Sequence, residues 1–229
     1  MNGYYRLITS MSSGGGGASN LWNGLQAYYT ADSTPNDALG NYNGTLVNGA
    51  TYGTGIINQG FSFDGVNDYV SMPDDMFTPT TEFTVSMWVK FNSLSGWFCN
   101  IGRYSLGKGL MFYITGNKPI CIISNSGNDI IGNVAGNPTI TTGTWQHVVL
   151  SYSSGNVKYY TNGVKHVDRA STQTPDYPSP CPTIFGAANA GTTNHCNCLM
   201  DEIALFPNRQ LTDSEVTELY NSGLGKQYS

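Results

Sequence analysis

The carboxylates of this sequence are the first candidates for chemistry, because two of them flanking a glycosidic bond can hydrolyse it. The chain of 229 residues has 15 acidic residues, and only four of these are glutamates. Asp201 and Glu202 are adjacent, as are Asp74 and Asp75, and adjacent residues of a strand point to opposite faces of a sheet. No predicted strand carries two acidic residues at alternate positions. The sequence therefore predicts a protein that is not an enzyme.

Histidine and cysteine do not suggest a catalytic or zinc site either. His166 and His195 have no serine or cysteine partner at a recognisable spacing. Cys196 and Cys198 are separated by one residue, whereas zinc knuckles usually place two residues between paired cysteines. We therefore expect both thiols on one face of an ordinary strand. The total of five cysteines is odd and favours free, buried thiols in a protein made in a reducing compartment. They are Cys99, Cys121, Cys181, Cys196 and Cys198.

The elements that must position these residues have the pattern of β-strands. The segment 83–90 alternates most clearly, with Phe83, Val85, Met87 and Val89 on one face and Thr84, Ser86, Trp88 and Lys90 on the other. Residues 24–29 predict another strand. Phe61 and Phe63 share a strand face ahead of a turn at Asp64-Gly65. Segments 144–149 and 157–161 predict a hairpin with its turn at 153–156.

The C-terminal part of the chain predicts one strand followed by one short helix. Residues 203–206 are an apolar run that ends at Pro207, since proline cannot donate to a central ladder. Thr212 and Glu215 have the spacing of a capping box, just before Val216 and Leu219. The sequence Asn-Ser-Gly at 221–223 then provides the stop.

Five motifs along residues 21–224 resemble, in order, those of laminin-G-like domains of the concanavalin A type. They are the strand 24–29 with its acidic loop, the run 61–70, the strand 83–90, the pair 145–149 and 159–163, and the closing strand and helix. The resemblance implies an all-β fold, a two-sheet antiparallel jelly-roll sandwich with a short C-terminal helix. We expect this domain to cover residues 20–229, preceded by a flexible tether at 1–19.

The resemblance also implies one structural calcium ion at the rim of the sandwich, because many such domains hold one with carboxylate and backbone oxygens. Asp32 and Asp201 are the candidate ligands, supported by the Asn36-Asp37 loop. The alternative is that Asp32 caps a turn and Asp201 pairs locally. The resemblance gives His147 a structural role within its strand.

Relatives of this fold often bind carbohydrate through loop aromatics that stack on sugars. Trp97 and Tyr104 lie in a stretch interrupted by glycine and serine, and Tyr177 lies between Pro175 and Pro178. These three aromatic residues are the candidate glycan-binding residues. The alternative is that they cover the sheet or a contact between subunits, so a homo-oligomer stays open.

Composition excludes two other classes of partner. The net charge of −5 and the absence of a basic stripe argue against nucleic acid. No apolar run reaches the roughly 18 residues that a membrane span requires. Only 11% of the residues are charged, compared with about a quarter in ordinary domains, and such low-charge sandwiches usually work outside cells.

The N-terminal segment predicts an anchor for a larger assembly. Tyr4, Tyr5, Leu7 and Ile8 form a compact apolar segment, and a Gly/Ser-rich linker follows at 11–19. The segment lacks the features of a secretory signal; the alternative is a disordered terminus. A virion protein made in the host cytoplasm would reconcile an extracellular composition with the lack of an export signal.

We therefore predict a non-enzymatic capsid or tail protein of a phage particle. Residues 1–18 would bind the particle, and the sandwich would bind glycans or the host surface. The alternative is a carbohydrate-binding or adhesion module of a secreted or surface bacterial protein.

Overall fold

The computed structural model describes residues 20–131 and 139–228. The predicted anchor residues Tyr4, Tyr5, Leu7 and Ile8 and the linker at 11–19 lie outside the described residues.

Two antiparallel sheets pack face to face, which confirms the predicted jelly-roll sandwich. The strands are β1 (Ala27–Tyr29), β2 (Thr45–Val47), β3 (Thr51–Thr54), β4 (Gln59–Asp64), β5 (Tyr69–Met72), β6 (Glu82–Phe91), β7 (Gly96–Arg103), β8 (Lys108–Thr115), β9 (Lys118–Asn125), β10 (Asn128–Ile131), β11 (Trp145–Ser153), β12 (Asn156–Thr161), β13 (Val164–Ala170), β14 (Thr183–Phe185) and β15 (Asn197–Phe206). One helix, α1 (Asp213–Tyr220), follows β15. Short 3-10 turns lie at Tyr104–Leu106, Asn189–Gly191 and Asn221–Gly223.

Sheet A has the strand order β13-β12-β11-β6-β15-β4-β3, and β1 also pairs with β15. Sheet B has the order β10-β9-β8-β7-β14-β5-β2. The predicted first strand is shorter than expected. Residues 21–24 form a turn in which the Leu25 N–H donates to the Trp22 carbonyl at 3.2 Å, and the ladder with β15 begins only at Ala27.

The main core lies between the two sheets and follows the predicted alternation. The inward-facing residues of β6 are Phe83, Val85, Met87, Val89 and Phe91, all fully buried. Phe61 and Phe63 of β4 also enter this core, with ring centroids 6.3 Å apart. Burial of such side chains supplies the largest favourable contribution to folding.

A second apolar cluster covers the outer face of sheet A, and we call it the outer cluster. It consists of Leu21, Tyr28, Val149, Tyr160, Ala204, Phe206, Leu211, Val216 and Leu219. Helix α1 supplies Val216 and Leu219 to it. The predicted capping box is present, since Thr212 Oγ1 accepts the Glu215 N–H at 3.3 Å and Glu215 Oε2 accepts the Thr212 N–H at 2.9 Å. Such a cap stabilises a helix by about 1 kcal/mol.

Arg209 fixes the beginning of the described chain against this face. Its Nη1 donates to the carbonyls of Asn20, Leu21 and Asn23 at 2.8, 2.9 and 2.6 Å, and its Nη2 pairs with Glu215. The end of the described chain, at Tyr228, lies beside its beginning. The chain therefore enters the domain at residue 20, on the outer face of sheet A.

The two ends of the described chain meet in an aromatic contact. Trp22 lies 5.5 Å from Tyr28 and 5.5 Å from Tyr228 between ring centroids. The Tyr28 hydroxyl also donates to the Lys226 carbonyl at 3.3 Å. Segments 20–23 and 226–228 are thus neighbours.

All five cysteines are free and buried, as predicted. Cys196 and Cys198 lie at alternate positions and both enter the main core. No helix within the described ranges is long and apolar enough to cross a membrane.

Candidate functional site

Three aromatic rings lie together on the outer face of sheet B, and we call them the aromatic surface. The Trp97 ring centroid is 4.8 Å from that of Tyr104, edge to face, and 5.4 Å from that of Tyr113, stacked. Tyr104 is 42% exposed, and the other two are half-buried. The structure thus brings together two of the predicted glycan-binding residues. It adds Tyr113, which lies directly opposite Trp97 in the register of β7 and β8.

A pair of glycines shapes the hairpin that carries these rings. Gly102 and Gly109 are directly opposite on β7 and β8, with φ of 114° and 115°. A Cβ on Gly109 would lie 2.0 Å from the Ile101 carbonyl oxygen, and one on Gly102 would lie 2.5 Å from the Lys108 oxygen. Only glycine permits this approach. The turn that holds Tyr104 connects the two strands just beyond this glycine pair.

The loop 188–195 borders the aromatic surface. The backbone carbonyl of Asn194 in this loop accepts the backbone N–H of Trp97 at 2.8 Å. His195 makes an isolated parallel β-bridge to Trp97. Gly96 allows this approach, because a Cβ there would lie 2.5 Å from the His195 oxygen.

The part of the chain that the structure describes encloses no pocket. Sites for small molecules usually bury most of the ligand in a cleft. The aromatic surface is instead partly exposed, so a ligand on it would be contacted from one side only.

Tyr177 occupies a different environment from the other two predicted aromatics. Its ring packs against the main core, and its hydroxyl donates to the Pro79 carbonyl at 2.9 Å. Burial raises the pKa of this hydroxyl well above its usual value. The contacts of Tyr177 are structural, and it shares none of them with Trp97 or Tyr104.

The predicted calcium ligands lie in one cluster beside the turn between β3 and β4, with Asp201 buried and Asp32 half-buried. Asp201 is fully buried, and its Oδ2 accepts the N–H groups of Ile56 and Ile57 at 2.9 and 3.1 Å. Asp32 Oδ1 accepts the Gln59 N–H at 3.0 Å. The charge of Asp32 acts on Asp201, where it adds to the effect of burial in raising the pKa.

A β-bulge adds Glu202 to this cluster, contrary to the simple alternation expected for two adjacent strand residues. The register of β15 against β6 shifts between Asp201 and Ala204, and Glu202 has a φ of 48°. Gln227 Nε2 lies 3.4 Å from both Asp32 Oδ2 and Glu202 Oε1. Glu202 Oε2 is buried without a hydrogen-bond partner.

Burial sets the chemistry of these carboxyls. It raises the pKa of Asp201 to about 7 and that of Glu202 to about 8, because the interior disfavours the charged form. Both side chains are covered, so a sugar cannot reach them in this arrangement. They do not form an accessible catalytic pair.

The oxygen atoms of this cluster mostly face N–H donors, whereas calcium requires six to eight oxygen ligands. Within the described ranges, no group of three or more His, Cys, Asp or Glu residues could hold a metal. As arranged, the donor set suits hydrogen-bonded carboxyls better than a calcium ion. Calcium binding stays a prediction, and no step of the proposed function depends on it.

Asp37, which the sequence offered as support for calcium, has a clear structural role. Its Oδ1 accepts the N–H groups of Tyr28 and Leu39, and its Oδ2 accepts those of Asn41 and Tyr42, at 2.8 to 3.3 Å. Four backbone donors satisfy this buried carboxylate and fix the loop that follows β1.

His147 is a buried structural residue, in line with its predicted role. Its Nε2 lies 2.8 Å from Ser86 Oγ, and its ring stacks on Trp88 at 5.1 Å. The side chain is fully buried, Nδ1 has no hydrogen-bond partner, and burial lowers the pKa to about 3. The Ser86–His147 pair is closed to substrate.

Comparison with known proteins agrees with the fold. The model of one family, described as the concanavalin A-like lectin/glucanases superfamily, matches residues 64–217. Comparison with curated proteins gives no match.

Several solved structures share the architecture. Domain 4 of AbnA, an extracellular GH43 arabinanase of Geobacillus stearothermophilus solved with arabinotriose, has a TM-score of 0.69 and 21% identity, covering 88% of this chain and 98% of that domain. The binding domain of Paraclostridial Mosquitocidal Protein 1 has a TM-score of 0.72 and 16% identity, covering 89% of this chain and 53% of that one. The binding domain of botulinum neurotoxin DC, solved with rat synaptotagmin II, has a TM-score of 0.67 and 14% identity, covering 88% and 52%. This chain therefore spans about half the length of the two toxin domains.

Proposed function

The chain belongs to the family of concanavalin A-like lectin/glucanase domains, whose model matches residues 64–217, and we propose that it is a non-enzymatic module that binds glycans. The observation that carries this proposal is the aromatic surface. Trp97, Tyr104 and Tyr113 form an open, partly exposed group of rings. Rings of this kind bury apolar area at low cost in side-chain entropy, and tryptophan and tyrosine are enriched at binding hot spots.

The comparisons support a binding role through similarity alone. One neighbour is a domain of a glycan-degrading enzyme that was solved with arabinotriose, and two others are binding domains of toxins. The fold also hosts other functions, so the proposal depends on the surface described above. The burial of Asp201 and Glu202 supports the absence of hydrolysis.

Removing a ring from the aromatic surface is expected to weaken glycan binding. Trp97→Ala and Tyr104→Ala should each lower the affinity for a bound glycan by about tenfold or more, as for aromatic hot spots. The measurement is binding to an array of immobilised oligosaccharides and polysaccharides that includes arabinotriose, followed by titration of each positive glycan.

Tyr228→Ala is the matched control for Tyr104→Ala. Tyr228 is 37% exposed, close to the 42% of Tyr104, but lies on the outer face of sheet A. Its replacement should leave glycan affinity unchanged. Equal losses in all three variants, or no glycan bound by the native protein, would contradict the proposed site.

We propose further that the module is displayed on a phage particle through residues 1–18. The position of residue 20 supports this arrangement, because Arg209 holds it on the outer face of sheet A, whereas the aromatic surface lies on the outer face of sheet B. A tether that leaves from the outer face of sheet A would direct the aromatic surface on sheet B away from the particle. The alternative, a module of a secreted or surface bacterial protein, draws support from the likeness to the arabinanase domain.

Deletion of residues 1–18 is expected to abolish attachment to particles and to leave the sandwich folded. The native and truncated proteins would be expressed during infection and followed on a density gradient, with circular dichroism as the measure of folding. We expect only the native protein to sediment with DNA-containing particles. A folded truncated protein that still co-sediments would exclude the anchor, and recovery of the native protein with cell envelopes would favour the bacterial alternative.

A further inference from the structure

The position of Tyr104 in the aromatic surface is not explained by packing of its own turn. Tyr104–Leu106 is a single 3-10 turn without buried residues and without a side-chain cap. Leu106 is 57% exposed. Within the turn, the Gly107 N–H donates to the Tyr104 carbonyl at 2.8 Å. From outside the turn, the Ser126 N–H donates to the Gly107 carbonyl at 2.8 Å and secures the end of the turn. The start of the turn, where Tyr104 lies against Trp97, requires a different contact.

Asn189 provides that contact from the opposite loop. Its side-chain Oδ1 accepts the N–H of Ser105, the residue next to Tyr104, at 3.1 Å. The two residues are far apart in sequence, so this hydrogen bond joins two separate loops. We propose that Asn189 is a positioning residue that holds Tyr104 in the aromatic surface, an inference that rests on the proposed function.

Asn189 is itself fixed from several sides. Its N–H donates to Oδ1 of Asn100 at 2.9 Å, and Asn100 is fully buried in β7. Its Nδ2 donates to Thr193 Oγ1 at 3.1 Å, and its carbonyl accepts the Thr192 hydroxyl at 2.8 Å. The φ of Asn189 is 46°, in the left-handed region that asparagine tolerates better than most residues. The acceptor offered to Ser105 is therefore held in place before any ligand arrives.

The same loop also holds the second ring of the aromatic surface. Asn194, five positions after Asn189, accepts the Trp97 N–H at 2.8 Å. Trp97 is thus fastened through its backbone and Tyr104 through its neighbour Ser105, both to the loop 188–195. This arrangement restrains the backbone positions from which the two rings project. A surface fixed in advance binds more tightly, because less conformational entropy is lost on binding.

The test replaces Asn189 with glycine and with aspartate. Asn189→Gly permits the positive φ but removes the acceptor, whereas Asn189→Asp keeps an acceptor oxygen for the Ser105 N–H. Ser105→Ala is a control that retains the backbone N–H, because only this group makes the contact. Each variant is compared with the native protein in amide hydrogen exchange of residues 103–108, in thermal unfolding and in glycan titration.

We expect Asn189→Gly to accelerate exchange at Ser105 and to weaken glycan affinity about threefold to tenfold, the range given by one hydrogen bond. Asn189→Asp and Ser105→Ala should resemble the native protein in both measurements, with all melting temperatures similar. Unchanged exchange at Ser105 in Asn189→Gly would overturn the positioning role. Faster exchange at Ser105 together with an unchanged glycan affinity would also overturn the positioning role. A native protein that binds no glycan would refute the proposed function, and exchange would still decide whether Asn189 holds the turn.

Discussion

Replacing Gly109 with alanine is expected to lower the free energy of unfolding by roughly 3–5 kcal/mol, through overpacking and backbone strain together. The added Cβ would lie 2.0 Å from the Ile101 carbonyl oxygen, at a φ of 115° that side chains rarely adopt. Since backbone atoms cannot rotate away, β7 and β8 would have to separate. Urea denaturation measures the change in free energy, and glycan titration measures the accompanying displacement of Tyr104.

Gly49→Ala is the matched control for this prediction. Gly49 has a similar φ of 108°, but a Cβ there would meet only the Asp68 side chain, at 3.3 Å. The free energy of unfolding of Gly49→Ala should fall by roughly 1–2 kcal/mol, from backbone strain alone. Equal losses in the two variants would show that the close approach of β7 and β8 contributes nothing, and would contradict the expected role of the glycine pair.

His147 is expected to contribute a loss of stability on acidification, and the variant His147→Gln isolates this contribution. Burial lowers the pKa of His147 from 6.5 to about 3, so the unfolded chain binds the proton more readily than the folded one. The stability contributed by the neutral ring is fully present above about pH 6.5 and is lost as the pH falls toward 3. Linkage gives a loss of about 2 kcal/mol at pH 5. The free energy of unfolding at pH 7 and pH 5 would be measured for the native protein and for His147→Gln.

Asp201 and Glu202 titrate in an overlapping range with the opposite sign. Their folded-state pKa values are raised to about 7 and about 8, so the folded chain binds their protons more tightly. The stability that these two carboxyls contribute in their protonated form is lost as the pH rises from about 4 toward 8. The effect of His147 is therefore obtained from the difference between native protein and variant.

His166→Gln serves as the control for His147→Gln. His166 is half-buried, and its Nε2 lies 2.7 Å from the hydroxyl oxygen of Thr161. Between pH 7 and pH 5, the free energy of unfolding should change about 2 kcal/mol more favourably in His147→Gln than in the native protein, whereas His166→Gln should follow the native protein closely. A native-like pH dependence in His147→Gln would contradict the expected contribution of His147.

Local pattern was sufficient to predict individual strands and the helix, whereas the two-sheet arrangement was predicted from the resemblance to laminin-G-like domains. The alternation in 83–90 identified the core face of β6, and the spacing of Thr212 and Glu215 identified the start of α1. Both features depend on residues within a few positions of each other. For the same reason, the hairpin between β11 and β12 was predicted with its turn.

The candidate site was predicted only in part, because it depends on how distant strands are aligned. Tyr113 joins Trp97 through the register of β7 and β8. Its place in β8, between the core residues Phe112 and Ile114, was the one available signal. Asn189 contacts Ser105 from a remote loop, and nothing in the sequence near either residue indicates this.

The bulge at Glu202 shows a second reason why pattern was insufficient. The sequence placed Asp201 and Glu202 on opposite faces, as a regular strand requires. A non-glycine residue with a φ of 48° interrupts that strand, and both carboxyls enter the interior. Such a conformation is set by the surrounding packing and not by the local sequence.

The contact between Trp22 and Tyr228, at 5.5 Å between ring centroids, has a consequence for engineering. The polypeptide enters and leaves the sandwich at neighbouring points, so the domain can be spliced into an exposed loop of a host protein without pulling its own strands apart. Neighbouring ends also permit circular permutation, with new ends opened at the Ser154-Gly155 hairpin turn. In either format, the rings of sheet B would face away from the splice.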